Sequence, residues 1–302
     1  MLSDEDEYTP LQQMKKARRG RAALGLTHYF AAAAVTVIGF VVGYLVRDTK
    51  AAGPRPSPIS STCIPSGFVN AADIAPNLMV VMRYATNHNF MGRRVLGYNA
   101  PHCILTEEAA SALKKVSEDA LKDGYLLKMY DCYRPQRSVD TFVAWSQNEL
   151  DILTKGEFYP DNKNKSSLFP QYIALKSGHS RGSTMDLTLV KTPVKKQGEY
   201  KPGQKLERCD ATIGVRFDDN SIDMGSGFDC FSSISNTASS LVSSKAHDNR
   251  MLLKKYMDRH GFINYDQEFW HYTLSNEPYP NTYFDFPIQS YFAFFDFQII
   301  FF

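Results

Sequence analysis

"SGHSRGSTMDLTL" spans residues 177–189 and leads from a polar loop into a predicted strand. Gly182 and Ser183 allow the chain to turn, so that His179 at the end of the loop and Asp186 at the start of the strand can converge. Histidine and aspartate are zinc ligands, and catalytic zinc typically takes three protein ligands. By itself the spacing also fits a polar loop before an ordinary strand. A metal site therefore requires a third ligand, a base and a substrate-binding group elsewhere in the chain.

The stretch EFWHY, residues 268–272, offers a third ligand and a base. Residues at i and i+3 on a regular strand point to opposite faces. Glu268 must therefore lie in a turn or bulge before the strand if it is to face the same ion as His271. In that geometry His271 completes the ligand set and Glu268 can take the proton of the attacking water. The alternative is an exposed glutamate before an aromatic core strand that holds a hydrogen-bonded histidine.

A third stretch, YDCYRPQ at 130–136, places Arg134 at a strand end, because Pro135 cannot continue a strand ladder. An arginine there can stabilise the oxyanion that forms when an amide carbonyl is attacked. The alternative is a surface ion pair. Taken together, the three stretches describe the chemistry of a metallopeptidase.

The order of predicted elements indicates an α+β domain. A helix is expected at 107–123, because Thr106 can cap it and apolar residues recur at helical spacing. Helices and strands mix without a regular βαβ rhythm, which favours a mostly antiparallel central sheet with flanking helices. The other predictions are strands at 125–133, through MDLTLV and at 269–274, and helices at about 137–151 and 246–260.

The N-terminal part has the composition of a single transmembrane signal anchor. Residues 22–46 carry no formally charged residue, and about 20 apolar residues span a bilayer as a helix. Five Lys and Arg residues precede this span at 15–21, against three between 47 and 55. The positive-inside rule therefore assigns residues 1–21 to the cytoplasm and the rest to the periplasm or cell exterior. The alternative is a domain secreted after signal-peptide cleavage, although the apolar core of such a peptide is normally about 7–15 residues.

Composition divides the remaining chain into three parts. Residues 47–67 form a Pro/Ser-rich linker, and 68–288 form the catalytic domain. Residues 289–302 are an aromatic tail to which no role is assigned.

The net charge and the cysteines indicate which partners and which redox compartment to expect. The net charge of +2 gives no reason to expect a nucleic-acid partner. All five cysteines follow the predicted span, where oxidation is possible. Several connectivities are open, and the first candidates are the sequence-local pairs Cys103 with Cys132 and Cys209 with Cys230.

Several motifs in one order resemble the D-alanyl-D-alanine dipeptidase family of zinc peptidases. The family signature, SxHxxGxxxD followed by ExWH, is matched at 177–186 and 268–271. Thr184 stands where the family often has alanine, which removes no functional group. Further landmarks in family order, within a similarity over 68–287, are RYATNHNFMGRRVLGY (83–98), YDCYRPQ (130–136), DMGSGFD (223–229) and NEPYPNTYFDFP (276–287).

The resemblance implies a site with one zinc ion per chain and two catalytic side chains. It implies that zinc is bound by His179, Asp186 and His271, that Glu268 is the base and that Arg134 stabilises the transition state.

Two further residues are implied to bind substrate, Ser177 and Asp229. Asp229 would lie near the substrate's free amino group, which an anionic side chain can bind. Its alternative is an ordinary turn residue after Gly227.

The function implied by the resemblance is zinc-dependent hydrolysis of D-Ala-D-Ala or a similar D-configured dipeptide, linked to peptidoglycan turnover. One alternative is a D,D-carboxypeptidase that acts on longer peptidoglycan stems. Another is a non-catalytic, zinc-stabilised binding module, against which the presence of both Glu268 and Arg134 argues.

Overall fold

A computed structural model describes residues 64–162, 164–169 and 172–290 of the chain. The predicted membrane anchor at 22–46, the segment before it, most of the linker and nearly all of the aromatic tail lie outside these residues. Within the described part of the chain, no helix is long and apolar enough to cross a membrane.

Seven strands in the described residues form two sheets. In chain order they are β1 Phe68–Asn70, β2 Met79–Val80, β3 Ile104–Thr106, β4 Tyr125–Asp131, β5 Thr184–Lys191, β6 Phe262–Asn264 and β7 His271–Leu274. β1 pairs with β3, and the other five form the central sheet in the order β2, β4, β5, β7, β6. β4 and β5 are buried along most of their length.

The central sheet is mixed, which corrects the expectation of a mostly antiparallel sheet. β4 pairs antiparallel with β5, as do β5 with β7 and β7 with β6, but β2 pairs in parallel with β4. A parallel pair requires a crossover connection, usually with a helix, and the chain between β2 and β4 contains one. With only two residues, β2 is too short to show a strand pattern in the sequence.

Five α-helices accompany the sheets in the described residues, and the three long ones lie where the sequence predicts helices. They are α1 Ala71–Ile74, α2 Glu107–Lys122, α3 Gln136–Gln147, α4 Lys155–Phe158 and α5 Ser244–Arg259. The Thr106 hydroxyl accepts from the Ala109 N–H at 3.3 Å and caps α2 as expected. The buried apolar face of α2 packs against β4.

A buried lysine ties the long segment after β5 to the central sheet. Lys128 on β4 donates to Asn220 Oδ1 at 2.7 Å, to Gln197 Oε1 at 2.9 Å and to the Asp219 carbonyl. Burial lowers the pKa of Lys128 to about 8, and a buried ammonium is tolerated because these acceptors replace water. Within the segment 192–223, these bonds hold Gln197, Asp219 and Asn220 on β4.

Two disulfides are formed among the described residues, and they are the two sequence-local pairs expected. Cys103 is joined to Cys132 with a Cα–Cα distance of 5.2 Å, and Cys209 is joined to Cys230 with 5.5 Å. The first bond links the residue before β3 to the residue after β4. Cys63 lies outside the described residues.

Candidate metal centre and active site

The site is built on a row of polar residues at one end of the central sheet. Asp186 of β5 pairs with Asp131 of β4 on one side and with His271 of β7 on the other. Directly opposed residues on adjacent strands project to the same face of a sheet. The strand register alone therefore brings together two of the predicted ligands.

His179 reaches this row from a short 3₁₀ helix, Gly178–Arg181, that immediately precedes β5. The Ser177 hydroxyl accepts from the His179 N–H at 3.3 Å and caps the helix. Gly182 ends it with a φ of +86°, in the left-handed region that favours glycine. A Cβ at Gly182 would also collide with the Phe68 ring. The turn that the sequence predicts is therefore specific for glycine.

Three ligand atoms lie close enough to share one metal ion. Asp186 Oδ1 is 3.3 Å from His179 Nε2 and 3.1 Å from His271 Nδ1, and the two imidazole nitrogens are 3.3 Å apart. These distances match the edges, about 3.3 Å, of a tetrahedron with zinc–ligand bonds of about 2.0–2.1 Å. Asp186 Oδ1 is buried and has no hydrogen-bond partner in the described structure. The three side chains thus fit a zinc ion.

Neighbouring groups favour the tautomer of His179 and the charge of Asp186 that binding of a cation requires. His179 Nδ1 is 2.8 Å from the Cys132 carbonyl, which fixes the tautomer that donates there and leaves Nε2 free for a metal. Burial by itself raises the pKa of Asp186, but the two imidazoles outweigh this and hold it below its usual value. Asp186 therefore stays anionic, as a carboxylate that binds a cation must be.

Arg134 follows β4 and is fixed at the edge of the ligand set. Its Nε donates to Asp131 Oδ2 at 2.9 Å, and its Nη1 lies 3.5 Å from Ser177 Oγ. The guanidinium also stacks over the Tyr84 and Phe142 rings, at 5.0 and 5.1 Å from their centroids. A guanidinium held in this way has a fixed orientation, so its remaining N–H donors also point in a fixed direction.

Asp131 is a positioning residue that sequence reasoning missed. Besides Arg134, it accepts from the Tyr98 hydroxyl at 2.6 Å and lies 3.4 Å from His179 Nδ1. It is completely buried. The available signal was an aspartate at the end of an apolar strand, three residues before Arg134.

Glu268 lies in the turn before β7, as strand alternation requires. Its N–H donates to the Tyr265 carbonyl at 3.0 Å, and its carbonyl accepts from the His271 N–H at 3.2 Å. The Glu268 carboxyl comes within 3.5 Å of His271 Nδ1. Burial raises the pKa of Glu268 to about 7, against the opposing effect of His271. This carboxyl can gain or lose a proton near neutral pH.

A cavity of about 300 Å³ opens onto these groups. Asp229 lines it, and the Tyr84 hydroxyl donates to Asp229 Oδ2 at 2.9 Å. Burial, with further contributions from Asp186 and Glu268, raises the pKa of Asp229 well above its usual value. Apolar and aromatic side chains complete the walls, among them Phe90, Val139, Phe142, Tyr172, Ile173 and Phe231.

Comparison with known proteins identifies the family. A family model described as D-Ala-D-Ala dipeptidase matches residues 65–198 and 204–289. The chain belongs to this family.

Three relatives from different bacteria are similar to this chain over about two thirds or more of its length. The D-alanyl-D-alanine dipeptidase of Enterococcus faecium is 36% identical over 223 residues, which cover 74% of this chain and 98% of the relative. That of Streptomyces coelicolor is 39% identical over 207 residues, covering 68% and 90%. That of Escherichia coli is 30% identical over 210 residues, covering 68% and 84%.

In this member of the D-Ala-D-Ala dipeptidase family, the predicted site residues surround one cavity. All seven line the same cavity, namely Arg134, Ser177, His179, Asp186, Asp229, Glu268 and His271. Tyr84 and Phe142 line it as well and were not singled out from the sequence. Their only signal was their position within or near landmark motifs.

Proposed function

We propose that the chain is a zinc-dependent dipeptidase that hydrolyses D-Ala-D-Ala or a similar D-configured dipeptide in peptidoglycan turnover. One observation carries the proposal: three ligand atoms 3.1–3.3 Å apart face the same cavity as the Glu268 carboxyl and the Arg134 guanidinium. The names of the relatives, D-alanyl-D-alanine dipeptidases, support the choice of substrate.

Proton transfer is assigned to Glu268. His179, Asp186 and His271 would hold the zinc ion, which when bound would supply a Lewis acid for the attacking water and the scissile carbonyl. Glu268, with a pKa raised to about 7, accepts the proton of the attacking water and then donates it to the leaving amine. A group whose pKa lies near the working pH is suited to both steps.

Charge stabilisation is assigned to Arg134. Its Nη2 lies 3.7 Å from Asp186 Oδ2, so the guanidinium borders the ligand set while Asp131 holds its Nε. Donors that are oriented before the reaction stabilise the developing oxyanion without reorganisation. Arg134 therefore binds the carbonyl oxygen as it becomes negative.

Substrate length is set by Asp229 and Ser177. The buried Asp229 carboxyl, whose pKa burial raises, is ionised by the free ammonium of a bound dipeptide and pairs with it, because a nearby positive charge favours the carboxylate. Ser177 lines the same cavity beside Arg134 and offers its hydroxyl to the substrate. A cavity of about 300 Å³ is of a size for a dipeptide.

The same features weigh against the two alternatives. A D,D-carboxypeptidase would require room for a longer stem where Asp229 is buried. A non-catalytic binding module would have no need for Glu268 and Arg134 beside the ligands.

Purified full-length protein is expected to release free D-alanine from D-Ala-D-Ala, and to do so only with zinc bound. A chelator should abolish the activity and remove about one zinc ion per chain, and added zinc should restore both. Amino-acid release and metal analysis on the same samples measure these effects.

N-acetyl-D-Ala-D-Ala and L-Ala-L-Ala are the matched control substrates. Both should be cleaved far more slowly, since the first lacks the ammonium and the second has the opposite configuration. Preference for the acetylated substrate would indicate that the enzyme is a carboxypeptidase and not a dipeptidase. Zinc binding without hydrolysis of any of the three would favour a binding module.

We also propose that residues 22–46 anchor the chain and that the catalytic domain faces the periplasm or cell exterior. The two disulfides among the described residues support an oxidising compartment. Protease added to intact spheroplasts is expected to degrade the domain and leave a short membrane-bound fragment. Protection until lysis would contradict this orientation, and recovery of the domain in the medium would indicate secretion after cleavage.

A further inference from the structure

Asp229 has an unfavourable backbone conformation, and its carboxyl lies in an unfavourable location. Its φ is +57°, in the left-handed region, and a non-glycine residue persists there only when its surroundings determine the conformation. Its buried carboxyl also feels the charges of Asp186 and Glu268. Both effects disfavour this position, so contacts from other residues must hold Asp229 there. The Tyr84 hydroxyl, which donates to Asp229 Oδ2 at 2.9 Å, holds the carboxyl.

The backbone is held by Cys209, which is bonded to the chain on both sides of Asp229. The Cys209 carbonyl accepts from the Gly227 N–H at 2.8 Å, two residues before Asp229. The Cys209 sulfur is bonded to Cys230, the residue directly after Asp229. One residue of the 192–223 segment thus fixes the loop from two directions.

Cys209 is itself anchored to the region of α4. Its N–H donates to the Glu157 carbonyl at 2.9 Å, and the Phe231 N–H donates to the Phe158 carbonyl at 2.9 Å. Both disulfide cysteines are buried. Asp229 is therefore connected through the disulfide to the region of α4, which contains none of the predicted zinc ligands.

We propose that the Cys209–Cys230 disulfide positions Asp229 to receive the free ammonium of the dipeptide. The inference rests on the proposed function and adds that substrate affinity depends on this bond. Without it, Cys230 is no longer held to Cys209, and the left-handed Asp229 loses the covalent constraint on its backbone, while the Gly227–Cys209 hydrogen bond and the Tyr84 hydroxyl remain. The ligands, Glu268 and Arg134 lie on other segments, so the bond acts on binding rather than on the chemical step.

The test compares wild-type full-length zinc enzyme with the variant Cys209→Ser/Cys230→Ser. KM for D-Ala-D-Ala is expected to rise by about tenfold or more, while kcat stays within about threefold and one zinc ion per chain is retained. Cys63→Ser is the matched control, since Cys63 belongs to neither described disulfide. If the serine pair does not fold, Cys209→Val/Cys230→Ala refills the volume of the two sulfur atoms and serves in its place.

A second comparison separates positioning from general stabilisation. Asp229→Asn removes the charge that binds the ammonium, so in this background loss of the disulfide should raise KM no further. A role only in stability would instead lower the active fraction equally in both backgrounds and leave KM unchanged, which would overturn the inference. Inactive wild-type enzyme would reject the proposed function. Active wild type with an unchanged KM in the disulfide variant would reject this inference alone.

Discussion

Replacing Glu268 with alanine is expected to lower kcat for D-Ala-D-Ala by about 10²–10⁴-fold, the range that a positioned acid–base group contributes. Zinc should remain bound, because the ligand cluster consists of His179, Asp186 and His271. The variant removes the proton acceptor and leaves the ion's own ligands in place. Steady-state kinetics and zinc analysis on one preparation measure both effects.

Glu118→Ala is the control, since Glu118 is an exposed glutamate on α2 and its loss makes the same change in net charge. Glu268→Gln keeps the shape of the side chain without its basicity and should be about as impaired as the alanine variant. Near-normal turnover in either Glu268 variant would refute the assigned role. Loss of zinc in step with activity would make Glu268 a ligand instead of a base.

Arg134→Ala is expected to reduce kcat/KM by about 10²–10³-fold, the effect of removing one oxyanion donor in other enzymes. The reason is the fixed orientation of the guanidinium, which Asp131 holds from one side and the Tyr84 and Phe142 rings hold from another. Kinetics with D-Ala-D-Ala, together with a thermal unfolding curve for each variant, measure the effect on the reaction separately from the effect on stability.

Arg134→Lys tests whether charge alone is sufficient. Lysine keeps the positive charge but lacks the planar fork of donors, so it should recover only part of the lost activity. Arg94→Ala, at an exposed arginine, is the control and should retain wild-type kinetics. Full activity of the lysine variant would show that a point charge replaces the oriented donors.

Much of the candidate site was predictable because its chemistry is encoded locally. The spacing of His179 and Asp186 around Gly182 predicts a turn into a strand, and the 3₁₀ helix and β5 have that arrangement. The alternation of strand faces predicts that Glu268 precedes β7. The cap at Thr106 is likewise local, because a cap and its partner are only three residues apart.

Other features depend on contacts between distant parts of the chain. The parallel strand β2 has two residues and acquires its structure by pairing with β4. Lys128 interrupts an apolar strand, and its acceptors Gln197 and Asn220 lie 69 and 92 residues away. A pattern within a short stretch of sequence cannot predict contacts between residues so far apart.

By itself, the sequence predicted the types of ligand and the base, and it determined the turn glycine and the long helices, because these follow from residue chemistry and short-range backbone preferences. Only the tertiary structure decided the register that aligns Asp131, Asp186 and His271 across three strands. A shift of one residue in a strand turns each of its side chains to the other face. Packing of the whole sheet excludes that shift, and the same long-range packing holds Asp229 in its buried, left-handed position.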